Sequence, residues 1–333
     1  VWFSAQSNPR IRTNLRGDLL DSLNSPSREP FEKIVADVLA GVPEGSAPTF
    51  SLLPEIWAAP QSIAPEKVDL LVPLLRRVKL YPRTGKFRFS TSGEYLHISD
   101  GALNLIWCAS YASWFIYQAY GRAQKNGLDV VRFDDDAETE EAVNLYQWAI
   151  QCVRDNTYAS WPEGAPRPTR TPVHESPLHV ANEVFLTAVA WMLLHESGHI
   201  AGNHPFLTSS RSLEEEHEAD FFATNHVLGG VTDENVRFKR SVGIVVANAL
   251  ILLLELMNGP ASSRTHPPVE ERISRNLRGP ELESSIRIHA FATALIQFHL
   301  GVVGIFPQLD ERAEFGEFVD DFCLAINRWR RSA

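Results

Sequence analysis

Apolar and polar positions divide this chain into a broken first part and a helical remainder. Through residue 60, Pro9, Pro26, Pro30, Pro43, Pro48, Pro54 and Pro60 interrupt every run. Within that irregular segment only residues 30–39 keep helical spacing, with Phe31, Ile34, Val35, Val38 and Leu39 along one side. Residues 67–78, carrying Leu70, Leu71, Leu74 and Leu75, predict a second short helix or buried turn. The period then changes. Lys86-Phe87-Arg88-Phe89-Ser90 alternates polar and apolar, Thr91-Ser92-Gly93 supplies a turn, and Glu94-Tyr95-Leu96-His97-Ile98 resumes, which predicts a β-hairpin. Its outer strand could accept an extended peptide by backbone hydrogen bonds, or it could only cap a helical core.

Helical patterns account for most of the chain beyond residue 99. Asp100 and Arg122 enclose 21 uncharged residues, enough to span a bilayer. Polar Asn104, Ser110, Ser113 and Gln118 and six scattered aromatics point instead to a long buried helix. Residues 241–257, broken by Asn248 and Glu255, read as another core helix. Asp134-Asp135-Asp136 opens a charged helix reaching about residue 156, where the aspartates suit a helix N-terminus better than a calcium site. Residues 157–177, with Pro162, Pro166, Pro168, Pro172 and Pro177, form a long loop that could strap a cleft or merely connect. Further helices are expected over 268–278, 281–303 and 310–330. The division that results is an irregular segment (1–60), a part with the hairpin and buried helix (61–177) and a helical core (178–333).

The chemistry lies inside one apolar helix, Trp191-Met192-Leu193-Leu194-His195-Glu196-Ser197-Gly198-His199-Ile200. Residues four apart share a helical face, so His195 and His199 can address one divalent ion. Glu196, about 100° away, can hold a water beside it. Zinc suits two imidazoles and a third ligand, lowers the pKa of a bound water to about 7, and leaves a carboxylate to take the proton. This spacing is what metal-assisted hydrolysis requires. Gly202-Asn203-His204-Pro205 stops the helix. The acidic run Glu214-Glu215-Glu216-His217-Glu218-Ala219-Asp220 then offers the third ligand. From Glu216, residues Asp220, Ala223 and Val227 fall within roughly 40°, with Ala219 beside them, so small residues line the face that must approach the metal helix. Glu214, Glu218 and Phe221 point elsewhere. Glu216 is therefore the ligand of choice, and Asp220 is placed to orient a histidine ligand or an arginine. His174, His179, His217 and His226 read as loop, surface or packing residues.

Composition narrows the class. With 44% hydrophobic and 22% charged residues the 333-residue chain is globular, and its net charge of −10 argues against a nucleic-acid partner. Cys108, Cys152 and Cys323 are too sparse for a disulfide framework or a thiolate zinc site, so a cytoplasmic location is expected. No signal-peptide pattern opens the chain, since Arg10, Arg12 and Arg16 follow without an apolar core.

His195-Glu196-x-x-His199, Glu216-x-x-Ala219-Asp220 and Thr265-His266-Pro267-Pro268-x-x-x-Arg272-Ile273 together resemble the gluzincin zinc peptidases, and their order resembles the HtpX-like and CAAX-prenyl-protease group. The resemblance covers roughly residues 178–278. It implies a mainly α (α+β) fold with a zincin-like helical core, Zn2+ as cofactor and Glu216 as third ligand. It also implies that His266 stabilises an oxyanion or approaches the metal, and that Arg272 pairs with Asp220. The membrane enzymes of that group carry several spanning helices and this chain shows no convincing one. As a soluble form it resembles the Lit-type phage-exclusion peptidases, which implies a bacterial enzyme that cuts a host protein and leaves room for an activating partner. The alternatives are a quality-control or processing protease, and an interaction module in which zinc only supports the fold.

Overall fold

The computed structural model describes residues 47–92, 95–128, 131–202, 204, 213–259, 286–307 and 315–332, with single positions at 33, 36, 37, 40–42, 272 and 275. A 3-10 turn at Pro48–Leu52 leads into α1 (Leu53–Ile63), and a second at Pro65–Lys67 leads into α2 (Val68–Leu75). Residues 48–60, expected from their prolines to be irregular, are thus helical. Pro54 sits in the first turn of α1, where no N–H is needed. Leu52, Leu53, Ile56 and Trp57 are fully buried against the rest of the core.

Three strands follow: β1 (Val78–Tyr81), β2 (Phe89–Ser92) and β3 (Tyr95–Ser99), in the order β1-β3-β2. The expected hairpin forms, but its turn comes later than the alternation implies. Thr91 and Ser92, expected to turn, pair with Leu96 and Tyr95. Ser99 is the reason. Its hydroxyl accepts from Arg88 N (3.0 Å) and donates to the Lys86 carbonyl (2.7 Å), holding residues 86–88 beside the one backbone bond from Ser99 N to the Arg88 carbonyl. β1 lies parallel to β3, with Val78 opposite Leu96 and Leu80 opposite Ile98. The apolar pattern gives no strand at β1, because a parallel partner lies outside any local pattern.

Ser99 also caps α3 (Asp100–Lys125) by accepting from Ala102 N. α3 is the uncharged stretch, and it is buried along most of its length against α4 (Ala137–Arg154) and α5 (Pro177–Ala201). Asp136 caps α4, as the aspartate run suggests. α5 is apolar on every side, which is how a central helix reads. It packs against α1, α3, α6 (Leu213–Leu228) and α7 (Glu234–Met257). α8 (Ile286–Val302) and α9 (Phe315–Ser332) complete the described elements. α5 and α7 are long and apolar enough to cross a bilayer, yet most of each apolar window is buried inside the protein. The fold is mainly helical, with a small sheet ahead of the helices that carry the site.

The proline-rich loop is tied down at several points. Trp161 packs on Trp107 and Trp148, the Thr169 carbonyl accepts from Asn182, and Arg170 pairs with Glu55. Asn182 precedes His195 by thirteen residues of α5, or about 20 Å of helix rise. Those contacts anchor this part of the loop toward the far end of α5.

Candidate metal centre

Gly198 lets α5 and α6 meet. A Cβ there would lie 3.0 Å from the Ala219 Cα, so the glycine and the alanine together bring the two helices into backbone contact. Trp191 Nε1 donates to Thr224 Oγ1 (3.0 Å) and fixes the pair higher up. The face deduced for α6 is the buried one: Glu216, Ala219, Asp220, Ala223 and Val227 are all buried, whereas Glu214, Glu218 and Phe221 are exposed.

His195, His199 and Glu216 converge. The two Nε2 atoms are 3.1 Å apart. Glu216 Oε2 lies 3.4 Å from His195 Nε2, and Oε1 lies 3.5 Å from His199 Nε2. Donors at zinc distances of about 2.0–2.1 Å in a tetrahedron are about 3.3 Å from one another. The spacing therefore fits one small divalent ion, and the donor set suits zinc. It is the one His/Cys/Asp/Glu group among the described residues that converges tightly enough to hold a metal.

Each imidazole is held from behind. His195 Nδ1 is 2.9 Å from Asp220 Oδ1. A carboxylate, which can only accept, at that distance favours the proton on Nδ1, with Nε2 turned to the triad. Arg272 grips Asp220 through Nε (2.8 Å) and Nη2 (2.6 Å), and its Nη1 lies 3.7 Å from Glu216. Burial alone would raise the Asp220 pKa, but Arg272 and then His195 pull it down to about 2. Burial works against charge on His195 too, yet hydrogen bonds to Asp220 and Glu216 push its pKa up to about 9. The pairing of Arg272 with Asp220 is as the sequence motif implies.

Glu196 is buried one position round the helix, and the sheet reaches it. Thr91 N donates to Glu196 Oε2 (3.0 Å), and the Thr91 hydroxyl donates to the same oxygen. Since Ser99 N donates to the Arg88 carbonyl, the antiparallel alternation leaves the N–H and C=O of Phe89 and Thr91 directed away from β3. β2 is thus an edge strand whose outward backbone groups run beside Glu196.

Two residues here do more than their sequence context suggests. His204 is not merely part of a helix stop: it is buried, with Nδ1 2.9 Å from His199 Nδ1. Glu218, on the outward face by periodicity, lies 3.0 Å from His204 Nε2. The available signal is Gly202, because a Cβ there would sit 2.3 Å from the His204 ring. Thr91 carries no sequence signal at all. His266 and the helix expected over 268–278 lie outside the described residues, apart from Arg272 and Arg275. His174 and His179 pack against each other with tilted rings at the far end of α5, away from the triad.

A buried His–His–Glu triad on two packed helices, backed by an arginine–aspartate pair, is the site of a metal-dependent enzyme. The chain belongs to the Peptidase U49 family, whose model matches residues 96–292 and so spans every residue of the triad. It is 29% identical over 293 residues to the protein of Escherichia coli (strain K12) named Cell death peptidase, covering 85% of this chain and 98% of that protein. No solved structure matches the chain. Family and triad together make this a metal-dependent peptidase.

Proposed function

We propose that the chain is a zinc endopeptidase of the gluzincin type, with His195, His199 and Glu216 as ligands and Glu196 as general base. The observation that carries this reading is the position of Glu196, between the metal triad and the edge of β2. A purely structural zinc site needs neither. Zinc bound at the triad would polarise the scissile carbonyl and lower the pKa of a coordinated water to about 7.

The chain's own residues do the rest. An extended substrate adds to β2 through the outward N–H and C=O of Phe89 and the C=O of Thr91, whose N–H stays on Glu196, and this aligns its peptide bond with the triad. Glu196 takes a proton from the attacking water and passes it to the leaving amine. Thr91 holds that carboxylate in orientation. Asp220 keeps His195 in the tautomer that presents Nε2, and Arg272 holds Asp220. His266, restrained by the prolines after it, donates to the oxyanion. The relative's name, a cell death peptidase, supports a protein substrate; the cytoplasmic location and the role in phage defence are our reading of the cysteine pattern and of the Lit-type resemblance.

The test is Glu196→Gln. The variant should keep its zinc and its melting temperature while losing about 10²–10⁴-fold in turnover. Cleavage-product proteomics of cells making either form would then identify the substrate. Equal cleavage by the two forms would sink the reading. His266→Ala should also keep stoichiometric zinc, with turnover down by about 10²–10³. Loss of zinc in that variant would make His266 a ligand instead.

A further inference from the structure

His195 and His199 are supported unequally. Behind His195 stand a buried aspartate and a buried arginine. Behind His199 the chain turns back on itself after Gly202, and His204 N donates to the His199 carbonyl (2.9 Å). The turn lays the His204 ring against the glycine, where no side chain could fit. The contacts then run outward in one line: His199 Nδ1 to His204 Nδ1 at 2.9 Å, and His204 Nε2 to Glu218 Oε2 at 3.0 Å.

Hydrogen-bond arithmetic gives this line a direction. A ligating His199 keeps its proton on Nδ1 and donates to His204 Nδ1, which leaves the His204 proton on Nε2 for Glu218, a carboxylate that only accepts. His199 Nε2 is left as a bare lone pair facing Glu216 and His195. Reversing a tautomer along this line would set two N–H groups or two lone pairs against each other. Within the triad the unprotonated Nε2 atoms of His195 and His199, 3.1 Å apart, are satisfied by a cation between them.

We propose that His204 and Glu218 are positioning residues for the metal centre: through this proton-ordered line they hold His199 in the tautomer and ring orientation that ligate. The proposal rests on the reading that the triad binds zinc, and adds to it a support for the second histidine that the motif itself does not contain. It also sets the two ligands apart. The line behind His195 ends in the protein interior, whereas the line behind His199 ends on a carboxylate whose side chain is 60% exposed. His199 is therefore the ligand that a surface change can loosen.

The experiment is zinc affinity, measured on the full chain by competition with a chromophoric chelator, beside thermal melts of the metal-free protein. His204→Leu should bind zinc about 10–100-fold more weakly, the range for losing a group that orients a ligand. His204→Gln should recover much of that loss, because its amide oxygen can accept from His199 Nδ1. Both should melt with the parent. Parent-like affinity in His204→Leu would overturn the proposal, and so would a loss that glutamine does not relieve, since packing alone would then explain it. Glu218→Ala, which removes the acceptor at the exposed end, cannot threaten the fold. Weakening of several-fold there supports the line even if His204→Leu does not fold, and parent-like affinity overturns it. Glu216→Ala separates the two levels of inference. If the parent chain binds zinc no better than Glu216→Ala, the metal reading itself fails and takes this proposal with it.

Discussion

From Phe185 to Leu194, α5 is surrounded by apolar side chains of α1, α3 and α7; from His195 to His199 it faces carboxylates, an arginine and another histidine. Both stretches are buried to a similar degree. The first is held by close packing, in which a lost methylene costs its transfer energy and part of a cavity. The second is held by pairing, in which each group is tolerable only while its partner is present. One helix thus carries two kinds of interior, and they should fail differently.

Asp220→Ala should show the largest effect. It leaves Arg272 buried without its main partner, which costs about 3–5 kcal/mol. Adding Arg272→Met should recover most of that loss in denaturant melts, because a flexible apolar chain of similar length needs no counter-charge. Leu193→Ala in the apolar half should cost about 2–5 kcal/mol, with zinc affinity unchanged and no second change able to restore it. If the double variant is no more stable than Asp220→Ala, the contrast between the two interiors collapses.

Acid titration sharpens the comparison. His299 on α8 is fully buried, with Nε2 2.6 Å from the Tyr146 hydroxyl, and burial pushes its pKa down to about 3 from 6.5. An unfolded chain binds that proton below about pH 6.5 and the folded one does not until about pH 3. Stability should therefore fall as pH drops through that window, by at most about 1.4 kcal/mol per unit. Asp220 behaves as an acid with a depressed pKa: its contribution is present above about pH 4 and is lost only as pH falls toward 2. The packing of α8 around His299 should thus weaken before the paired interior on acidification. His299→Leu should flatten the stability curve between pH 6.5 and 4, and an unchanged slope in melts across that range would remove His299 as its cause.

The smallest expected effect is at Thr91. Thr91→Val keeps the backbone N–H to Glu196 and removes the hydroxyl, a loss of about 1–1.5 kcal/mol of orientation and so about tenfold in kcat. Zinc content and melting temperature should stay with the parent, and Thr91→Ser should restore turnover. A change in KM alone would show that Thr91 touches substrate without steering Glu196.

Local pattern determined a good deal of this protein. The apolar lead-in and the four-residue spacing of His195 and His199 place both imidazoles on one face of a central helix, since 3.6 residues per turn leave them no other arrangement. The alanine spacing after Glu216 marks the face that meets it for the same geometric reason. Asp136 capping α4 and Pro54 opening α1 are likewise short-range facts. What only tertiary structure decided is where separate stretches of chain meet. β1 finds β3 across the whole of the intervening β2 segment. Thr91 comes to Glu196 from more than a hundred positions away. His204 folds back onto His199 because Gly202 leaves room, and Glu218 reaches it from the rim of a face that otherwise points outward. Helical periodicity constrains a residue's angle about its own axis and says nothing about what a loop or an edge strand delivers to it. The triad, Asp220 and Arg272 could therefore be read in advance, while Thr91, His204 and Glu218 could not.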